Sequence, residues 1–366
     1  MTRVDVAVVG GGPAGLNAAL AAADAGASVL LIDRQPRLGG QLVKQTHRFF
    51  GSRAQFAGTR GFEIGRLLAK RAEAHPDIAI WLDATVIGCY SDSVLMVDTG
   101  SGLAKVHADR LVMATGAAER PLAFVNNDLP GIYGAGAVQT LMNLHGVLPG
   151  RRAVMVGAGN IGLIISYQLL QAGVRVAAIL EAAPAVGGYL VHAAKVARAG
   201  IPILTSHTVL AAQGDDAVAG VRVARLSPDW QPVPGSEFEI ACDLVCLAVG
   251  LSPLVELAAL AGCELLHIAE LGGFVPWRDS DMQTSVPGVY VAGDAAGVEE
   301  ASSAMVSGRL AGLAAANSLR AAGDFAGQRQ ECQRQLAGLR AGPAGEKMRR
   351  GLAKMGLAAA GGDGIA

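Results

Sequence analysis

Cysteine and aromatic residues are scarce in this sequence. Five of the 366 residues are cysteine and 4% are aromatic. The cysteines show neither a C-x-x-C pair nor the spacing of a metal-ligand cluster, and they are Cys89, Cys242, Cys246, Cys263 and Cys332. The sequence therefore predicts no bound metal, and so low a cysteine content fits a reducing, cytoplasmic setting.

An excess of charge of either sign is also lacking. Lys and Arg number 30 against 31 Asp and Glu, so the formal net charge is −1. This balance gives no electrostatic reason to expect nucleic acid or an anionic membrane as a partner. No uninterrupted apolar run reaches about 18 residues, the length that a membrane-spanning helix needs. We therefore expect a soluble protein, without membrane insertion, that acts on a small-molecule substrate.

Glycine, by contrast, is abundant. The chain has 49 glycines without a three-residue period, and 51% of its residues are hydrophobic. So many glycines indicate close approaches of the backbone to a ligand and packing through small residues. The length and the apolar content predict a large core, in two domains or one large one.

The first motif begins at Val4, where the apolar run "VDVAVVG" predicts a strand. Gly10, Gly12 and Gly15 then form a G-x-G-x-x-G pattern ahead of an alanine-rich helix, and a second strand ends in Asp33. Such glycines let a pyrophosphate approach the N-terminus of the helix, and the acidic residue accepts the ribose hydroxyls. Because strand, glycines, helix, strand and acid occur in this order, the sequence predicts a dinucleotide-binding unit.

The same pattern recurs in "AVMVGAGNIGLIISYQLLQAGVRVAAILE". Here the glycines are Gly157, Gly159 and Gly162, and the acid at the end of the next strand is Glu181. An acid at this position favours NAD over NADP, because it repels a 2′-phosphate. The alternative is that this second unit is a duplicated scaffold that no longer binds a nucleotide.

Three further stretches complete the pattern. The strands "RLVMATGA" and "CLAVGLSP" each end in a small-residue turn, which predicts two crossings between domains. The stretch "VYVAGD" ends in Gly293 and Asp294 and precedes a helix over residues 302–319. An aspartate at such a turn can bind a ribityl hydroxyl of a flavin, while the N-terminus of the following helix directs its dipole at the flavin ring.

Together these motifs resemble the two-dinucleotide-binding flavoproteins of the pyridine nucleotide-disulfide oxidoreductase superfamily, over roughly residues 3 to 320. The resemblance implies an α/β fold with two Rossmann-like domains in a thioredoxin-reductase-like arrangement. The implied FAD-binding domain consists of residues 1–116 and 251–323, and an NAD(P)-type domain over residues 117–250 interrupts it. Residues 324–366 would form a helical C-terminal tail of basic character.

The resemblance also implies which residues bind FAD, with NAD as a second cofactor. By this resemblance the FAD-binding residues are Gly10, Gly12, Gly15, Asp33, Arg34, Gly40, Gln41, Val86, Thr115, Gly116, Gly293 and Asp294. A nucleotide in the second domain would contact Gly157, Gly159, Gly162 and Glu181.

The segment "LGGQLVKQTHRFFGS" departs from the disulfide reductases of this superfamily. In one branch, redox cysteines stand at the second and seventh positions after the paired glycines, where this chain has Leu42 and His47. The other branch has a C-x-x-C in the second domain, and this sequence has none there. Because disulfide exchange needs a thiolate, the sequence argues against a disulfide reductase.

Lys44 and His47 are the ionisable residues of that segment and the candidates for catalysis. We expect a helix after Gly40 that places one or both beside the flavin. Histidine titrates near neutral pH and can exchange a proton as hydride moves to or from the flavin, and a lysine can stabilise the anionic reduced ring. The alternative is that both are polar helix residues or contacts to the FAD phosphates.

A finer resemblance concerns the stretches "ATGAAERPLAF", "LPGIYGAGAVQTLM" and "AILEAAPAVGG". They are similar to the A or alpha subunits of heteromeric flavin dehydrogenases, such as hydrogen cyanide synthase, opine and proline dehydrogenases and sarcosine oxidase. This implies oxidation of an amine or imino acid together with a partner subunit. Many of those subunits continue into a cysteine-rich iron–sulfur region, whereas residues 321–366 contain only Cys332.

Two alternatives remain open at this point. One is a free-standing NADH-dependent reductase that passes electrons through FAD to a quinone, ferredoxin or other acceptor, which Glu181 favours. The other is a non-catalytic nucleotide-binding subunit that holds or regulates a catalytic partner. The substrate does not follow from the fold.

Overall fold

A computed structural model of the chain describes residues 1–49, 52–90, 93–320 and 324–357. Its strands, in chain order, are β1 (Thr2–Val9), β2 (Val29–Ile32), β3 (Ile78–Trp81), β4 (Thr85–Cys89), β5 (Val94–Asp98), β6 (Leu103–Met113), β7 (Ala117–Glu119), β8 (Ile132–Gly134), β9 (Arg152–Val156), β10 (Arg175–Glu181), β11 (Ile203–Thr205), β12 (His207–Gln213), β13 (Gly220–Arg225), β14 (Phe238–Ala241), β15 (Leu244–Leu247), β16 (Leu251–Pro253), β17 (Leu265–Ile268), β18 (Gly273–Pro276) and β19 (Val289–Val291). The α-helices are α1 (Pro13–Asp24), α2 (Gly61–Glu73), α3 (Ala135–His145), α4 (Asn160–Gln171), α5 (Leu190–Arg198), α6 (Glu256–Leu260), α7 (Ala301–Leu319), α8 (Phe325–Leu339) and α9 (Glu346–Lys354).

The chain divides into two compact units. The first consists of residues 1–118 and 252–366, and the second of residues 119–251. The chain passes from one unit to the other near the short strands β7 and β16. Residues 321–323 and 358–366, which border or belong to the predicted tail, lie outside the described residues.

The first unit is organised by a sheet with the strand order β3-β2-β1-β6-β5-β4, in which β19 also pairs with β6. Strands β1, β2, β3, β6 and β19 are parallel, whereas β4 and β5 are antiparallel to their neighbours. Val6 and Val8 of β1 enter the core on one face of the sheet, while Ala7 and Val9 enter the core on the other. Burial on both faces explains why residues 6–9 of β1 form an unbroken apolar run.

Helices α1 and α7 pack against each other almost backbone to backbone. A Cβ atom on Gly308 would lie 2.0 Å from the carbonyl oxygen of Ala14, and one on Gly312 would lie 2.1 Å from that of Ala18. Side chains at these two positions are therefore excluded, and the small residues of α1 serve the same close packing. This contact places the first turn of α1 against the middle of α7, which matters for the site described below.

The second unit repeats the design on a smaller scale. Its sheet has the order β11-β10-β9-β15-β8, with parallel pairing throughout, and β12, β13 and β14 form a separate antiparallel sheet. Helices α3 and α4 cover one face of the parallel sheet through apolar residues such as Val138 and Leu163. The result is a second nucleotide-binding type of fold with its own core.

The tail folds onto the first unit. Cys332 and Leu336 of α8 belong to the same core as α1 and α7. Met348 and Leu352 of α9 pack against Leu271 in a smaller cluster. The predicted helical tail is thus two helices, each with one face buried against the unit. Within the described part of the chain, no helix is both long enough and apolar enough to cross a membrane.

Candidate cofactor-binding site

The first glycine loop follows β1 and has a conformation that the fold itself requires at two positions. Gly10 has a φ of +106°, and a Cβ atom there would lie 2.2 Å from the carbonyl oxygen of Ala114. A Cβ atom on Gly15 would lie 1.7 Å from the carbonyl oxygen of Gly10. These glycines let the loop turn tightly beside the end of β6 and let α1 begin close to the sheet.

Gly12 differs from Gly10 and Gly15 because the space around it is open. A Cβ atom there would meet only the Cα atom of Gly40, at 3.8 Å. Gly12 is the N-cap of α1, whose first turn has no side-chain cap and begins with Pro13. The backbone N–H groups of this turn can therefore receive an anion such as a pyrophosphate.

Asp33 stands at the end of β2, directly beside this loop. Its buried carboxylate accepts hydrogen bonds from the backbone N–H of Gly11 and, at 2.8 Å, from that of Gln35. These two bonds fix the carboxylate, and each oxygen keeps a lone pair for a ribose hydroxyl. Arg34 follows it on the exposed surface.

The segment after β2 returns to the glycine loop. Gly39 donates a hydrogen bond of 2.8 Å from its N–H to the carbonyl oxygen of Gly11, and a Cβ atom on Gly40 would lie 2.7 Å from the Cα atom of Gly12. Gln41 follows and is exposed. Val86 lies in β4, whose entry is fixed by a hydrogen bond of 3.0 Å from the N–H of Ala84 to the carbonyl oxygen of Asp33.

The end of β6 forms a further side of the site. Gly116 has a φ of +79°, which favours glycine. The hydroxyl of Thr115 donates a hydrogen bond of 2.8 Å to the carbonyl oxygen of Leu254, and the N–H of Leu254 donates one of 2.9 Å to the carbonyl oxygen of Gly116. The Thr115 hydroxyl is thereby oriented, and its oxygen can still accept a hydrogen bond.

Gly293 and Asp294 follow β19 on the same edge of the sheet. A Cβ atom on Gly293 would lie 2.7 Å from the Cβ atom of Ala14, and its N–H donates a hydrogen bond of 3.0 Å to the hydroxyl of Ser307. The Asp294 carboxylate accepts a hydrogen bond of 3.2 Å from the N–H of Glu299. Burial raises the pKa of Asp294 to about 7, and the charges of Glu299 and Glu300 contribute to the rise.

The structure therefore joins most of the predicted FAD residues into one cradle at the carboxyl ends of parallel strands. Gly40 packs closely against Gly12, and Gly10 packs against the end of β6. Gly293 packs against the first turn of α1. An elongated ligand with an anionic centre and hydroxyl groups matches this set of N–H donors, open glycine and carboxylates. The residues present thus fit FAD.

Lys44 and His47 lie in the same segment, but the expected helix is wrong. The structure has a short 3-10 helix over Gly40–Lys44, and His47 comes after its end. The helix stops because the backbone pairs elsewhere: Phe62 donates to the carbonyl oxygen of Gln45 at 3.1 Å, and Gly61 donates to that of His47 at 3.3 Å. Lys44 and His47 are half-buried, and the His47 ring stacks on that of Phe49 with centroids 5.9 Å apart.

The second glycine loop reproduces the first. A Cβ atom on Gly157 would lie 2.3 Å from the carbonyl oxygen of Ala248, and one on Gly162 would lie 2.1 Å from that of Gly157. The Glu181 carboxylate accepts hydrogen bonds from the N–H groups of Ala158 at 2.7 Å and Ala183 at 2.9 Å. Gly159 has no heavy atom within 4 Å of the position of a Cβ atom, so this loop is also open to a ligand.

The repeat extends further than the sequence reasoning recognised. The letters G-G-x-L-V occur after both strands, as residues 39–43 and 187–191. In the second unit Gly188 donates a hydrogen bond of 2.9 Å to the carbonyl oxygen of Ala158, as Gly39 does to Gly11 in the first. A comparison of the chain with itself beyond the acidic residue would have found this second pair of glycines.

The cysteines contribute nothing to either loop. All five are free thiols, and four of them are buried. Burial raises the pKa of Cys242 to about 11, and it raises the pKa of Cys263 and of Cys332 as well. These thiols are therefore protonated near neutral pH and are poor nucleophiles.

Comparison with known proteins agrees with this geometry. Residues 4–308 match the family described as pyridine nucleotide-disulphide oxidoreductase. The A subunit of opine oxidase from Rhizobium meliloti is 32% identical over 328 residues, which cover 83% of this chain and 60% of that protein. The HcnB subunit of hydrogen cyanide synthase from Pseudomonas protegens is 30% identical, with 82% of this chain and 67% of that protein covered. This chain thus spans less than two thirds of the opine oxidase protein.

Among solved structures, the thioredoxin reductase of T. acidophilum superposes with a TM-score of 0.72 at 24% sequence identity, covering 87% of this chain and 99% of that one. The two-domain α/β fold expected from the sequence is confirmed by this likeness. The family match confirms the expected superfamily and its cofactor, FAD, together with a nucleotide-binding second domain. This chain therefore belongs to the pyridine nucleotide-disulphide oxidoreductase family.

Proposed function

We propose that this protein is an FAD-dependent oxidoreductase that works as the A-type subunit of a heteromeric amine or imino-acid dehydrogenase. The observation that carries the proposal is the combination of an FAD cradle with a following segment that has no thiol. Leu42 and His47 occupy the positions of the redox cysteines, and Leu42 is fully buried. The similarity to subunits of opine oxidase and hydrogen cyanide synthase supports the same choice.

The chain's own residues would hold the cofactor from three directions. The N-terminal turn of α1 binds the pyrophosphate through backbone N–H groups, which Gly12 leaves accessible. Asp33 accepts the ribose hydroxyls, and Asp294 accepts a ribityl hydroxyl. Bound FAD supplies the acceptor of a hydride or an electron pair.

Proton transfer is the second requirement of this chemistry. Oxidation of a C–N single bond to C=N releases a proton, so a base must stand near the substrate nitrogen. In this proposal His47 receives that proton, and Lys44 contributes positive charge beside the flavin. Both side chains are half-buried in the segment that begins against Gly12. A positioned base in such a segment is typically worth about 10²–10⁴-fold in rate.

Disulfide reduction is not part of the proposed function. A disulfide reductase needs a thiolate next to the flavin, and burial keeps the described thiols protonated. Leu42 is apolar and cannot attack a disulfide, and His47 has no sulfur. We therefore assign the fold's likeness to thioredoxin reductase to shared architecture, since one fold serves many reactions.

A partner chain is part of the proposal. The two similar proteins are named as subunits, and this chain spans 60% and 67% of their lengths. We infer from these names that a partner chain contributes part of the substrate site.

A second candidate is an NADH-dependent flavin reductase, and one observation favours it. Glu181 is held in the same way as Asp33, with both carboxylate oxygens on backbone N–H groups and an open glycine beside it. A carboxylate there accepts the adenosine ribose hydroxyls of NADH and repels the 2′-phosphate of NADPH. The second unit thus retains the elements of a nucleotide site.

Anaerobic visible spectroscopy separates these candidates. The purified, FAD-loaded protein is mixed with NADH and, separately, with opines and cyclic imino acids, both alone and co-expressed with a candidate partner subunit. Bleaching of the flavin by an opine or imino acid in the complex supports the first proposal. Bleaching of the single chain by NADH supports the second. FAD-loaded protein that neither class reduces would contradict both and leave the non-catalytic role.

A further inference from the structure

The turn between β19 and α7, residues 293–300, carries Asp294 and depends on few contacts of its own. Asp294 accepts the N–H of Glu299, and Gly297 has a φ of +136°. The N–H of Val298 donates a hydrogen bond of 2.9 Å to the carbonyl oxygen of Leu271. A turn of this kind needs external support to keep a carboxylate in one orientation.

Part of that support comes from the tail. Arg340, directly after α8, donates two hydrogen bonds to Glu299, of 2.8 Å and 2.6 Å. The side chains are only 12% and 14% exposed, so the pair is largely desolvated. Paired hydrogen bonds of this type fix both distance and orientation. The Arg340 carbonyl in turn accepts a hydrogen bond from Arg349 at the start of α9.

A second arginine faces the same carboxylate. Arg278 is 3% exposed, and among the described residues its Nε atom has no hydrogen-bond partner. Burial lowers the pKa of Arg278 to about 10 with a contribution from Arg340, whereas the charge of Glu299 favours its protonation. Glu299 is therefore paired with Arg340 and also interacts electrostatically with the buried Arg278, so that loss of Arg340 changes the charge balance beside Asp294.

The tail supports the turn through a second route. A Cβ atom on Gly351 of α9 would lie 2.5 Å from a methyl carbon of Leu271, the residue whose carbonyl receives the N–H of Val298. Lys354 adds an ion pair of 2.6 Å to Glu270. The tail thus contacts the Asp294 turn in two independent ways, directly through Arg340 and Glu299 and indirectly through Gly351 and Leu271.

We propose that Arg340 is a positioning residue for FAD, and that the C-terminal tail is part of the flavin site rather than a free docking helix. The inference rests on the proposed role of Asp294 as the acceptor of a ribityl hydroxyl. Arg340 holds Glu299 and neutralises its charge, which keeps residues 293–300 closed around the cofactor. Without Arg340, Glu299 repels the Asp294 carboxylate, and the turn opens to solvate both.

A second arginine–carboxylate pair of the tail provides the control. Arg329 of α8 binds Asp281 in an ion pair whose side chains are 39% and 28% exposed. This pair also ties α8 to the first unit, but it has no contact with residues 293–300 among its assigned bonds. Substitution of Arg329 therefore weakens only the attachment of the tail to the first unit, whereas substitution of Arg340 also removes a contact with residues 293–300.

The experiment compares Arg340→Gln, Arg340→Lys and Arg329→Gln with the wild type in the full chain. FAD release is followed by the rise in flavin fluorescence after dilution, and the thermal midpoint of each apoprotein is measured in parallel. We expect Arg340→Gln to release FAD at least about tenfold faster, Arg340→Lys about threefold faster, and Arg329→Gln within about twofold of the wild type. The thermal midpoint of the apoprotein should fall more for Arg340→Gln, whose ion pair is largely desolvated, than for Arg329→Gln, whose ion pair is more exposed.

Equal release rates for Arg340→Gln and Arg329→Gln would overturn the inference, because they would assign both arginines to tail attachment. If Arg340→Gln does not fold, Arg340→Lys decides with the same measurement, since it keeps the charge but not the paired hydrogen bonds; release at the wild-type rate would then contradict the proposal. A wild-type protein that binds no FAD would instead contradict the proposed function, so the two failures are distinguishable.

Discussion

Replacing Gly12 with alanine should lower the affinity for FAD while leaving the fold intact. Gly12 has φ −78° and ψ −171°, a backbone conformation that any residue adopts. The nearest heavy atom to an added Cβ would be the Cα atom of Gly40 at 3.8 Å, which is an ordinary contact. Alanine restricts the unfolded chain more than glycine does, but it is a poorer N-cap residue than glycine. Because these two effects oppose each other, the free energy of unfolding of the apoprotein should change by less than about 1 kcal/mol.

The effect on the binding of the cofactor should be larger. The new methyl group projects from the loop that begins α1, where the pyrophosphate must come close to backbone N–H groups. We therefore expect the affinity for FAD to fall at least about tenfold, which corresponds to about 1.4 kcal/mol. A loss of affinity without a loss of stability would identify Gly12 as a ligand-contacting position.

Two further variants control the interpretation. Gly159→Ala places the same methyl group in the second loop, where φ is −73° and no heavy atom lies within 4 Å. This variant should bind FAD with unchanged affinity and bind NADH more weakly. Gly10→Ala has a φ of +106° and a Cβ position 2.2 Å from the Ala114 carbonyl oxygen, so it should destabilise the apoprotein by more than about 2 kcal/mol.

The assay uses apoprotein freed of flavin. Urea unfolding gives the free energy of unfolding for each variant, and titration with FAD or NADH, followed by fluorescence, gives the affinities. The reasoning would be refuted if Gly12→Ala bound FAD as tightly as the wild type while its stability was unchanged. That result would mean that the phosphates do not approach this loop.

Three other predictions follow from the site. The Asp294 pKa of about 7 lies above its ordinary 3.8, so its stabilisation of the apoprotein is complete below pH 3.8 and is lost as the pH rises through 7; apo Asp294→Asn should lack this loss in thermal unfolding between pH 5 and 8, and an identical pH profile would contradict it. A variant without all five cysteines should keep flavin reduction nearly unchanged in single-turnover measurements if it folds and binds FAD, whereas a large loss would restore a thiol mechanism. His47→Asn should keep FAD and slow substrate-linked flavin reduction at least about tenfold, with a smaller effect for Lys44→Met; an unchanged rate from pH 5.5 to 8.5 would make His47 structural.

The nucleotide-binding units were predictable because their signals are local and redundant. In each unit a buried parallel strand, a glycine triplet and a terminal acid lie within one stretch of chain, and each part has its own physical requirement. The structure adds the reason that Gly10 and Gly157 cannot be replaced: each faces a carbonyl oxygen from a strand distant in sequence, that of Ala114 and of Ala248. The G-x-G-x-x-G spacing identifies these glycines in the sequence, but it does not show which carbonyl oxygens lie beside them.

The wrong helix after Gly40 shows where local reasoning fails. Residues 40–47 contain no helix breaker after the glycines, and their letters alone permit a helix. The backbone instead ends its 3-10 helix at Lys44, because residues 45 and 47 accept hydrogen bonds from residues 62 and 61. These hydrogen bonds come from residues that are distant in sequence, so local propensity does not predict them. As a result, His47 lies in an irregular segment after the 3-10 helix and not on a helix face.

The charge cluster around Glu299 was beyond sequence reasoning for a related reason. Glu299 reads as an ordinary acid in the first turn of a helix, and Arg340 as one basic residue of a polar tail. They are 41 residues apart, and no periodic pattern connects them. Only the folding of α8 and α9 onto the first unit brings these residues together, and with them the buried Arg278.

The two glycine loops together narrow the functional question. Each loop has an open glycine and a carboxylate that accepts hydrogen bonds from backbone N–H groups. The geometry of both loops is therefore compatible with a bound nucleotide. If both loops bind, the reductase candidate is favoured, because the second unit then has a nicotinamide nucleotide to offer. If only the first loop binds, the second unit serves as a scaffold, and Gly159→Ala should then have no effect on any reaction. Because the same substitution is harmless to the fold at both positions, its consequences at Gly12 and Gly159 decide directly between a nicotinamide-linked reductase and one component of a heteromeric substrate dehydrogenase.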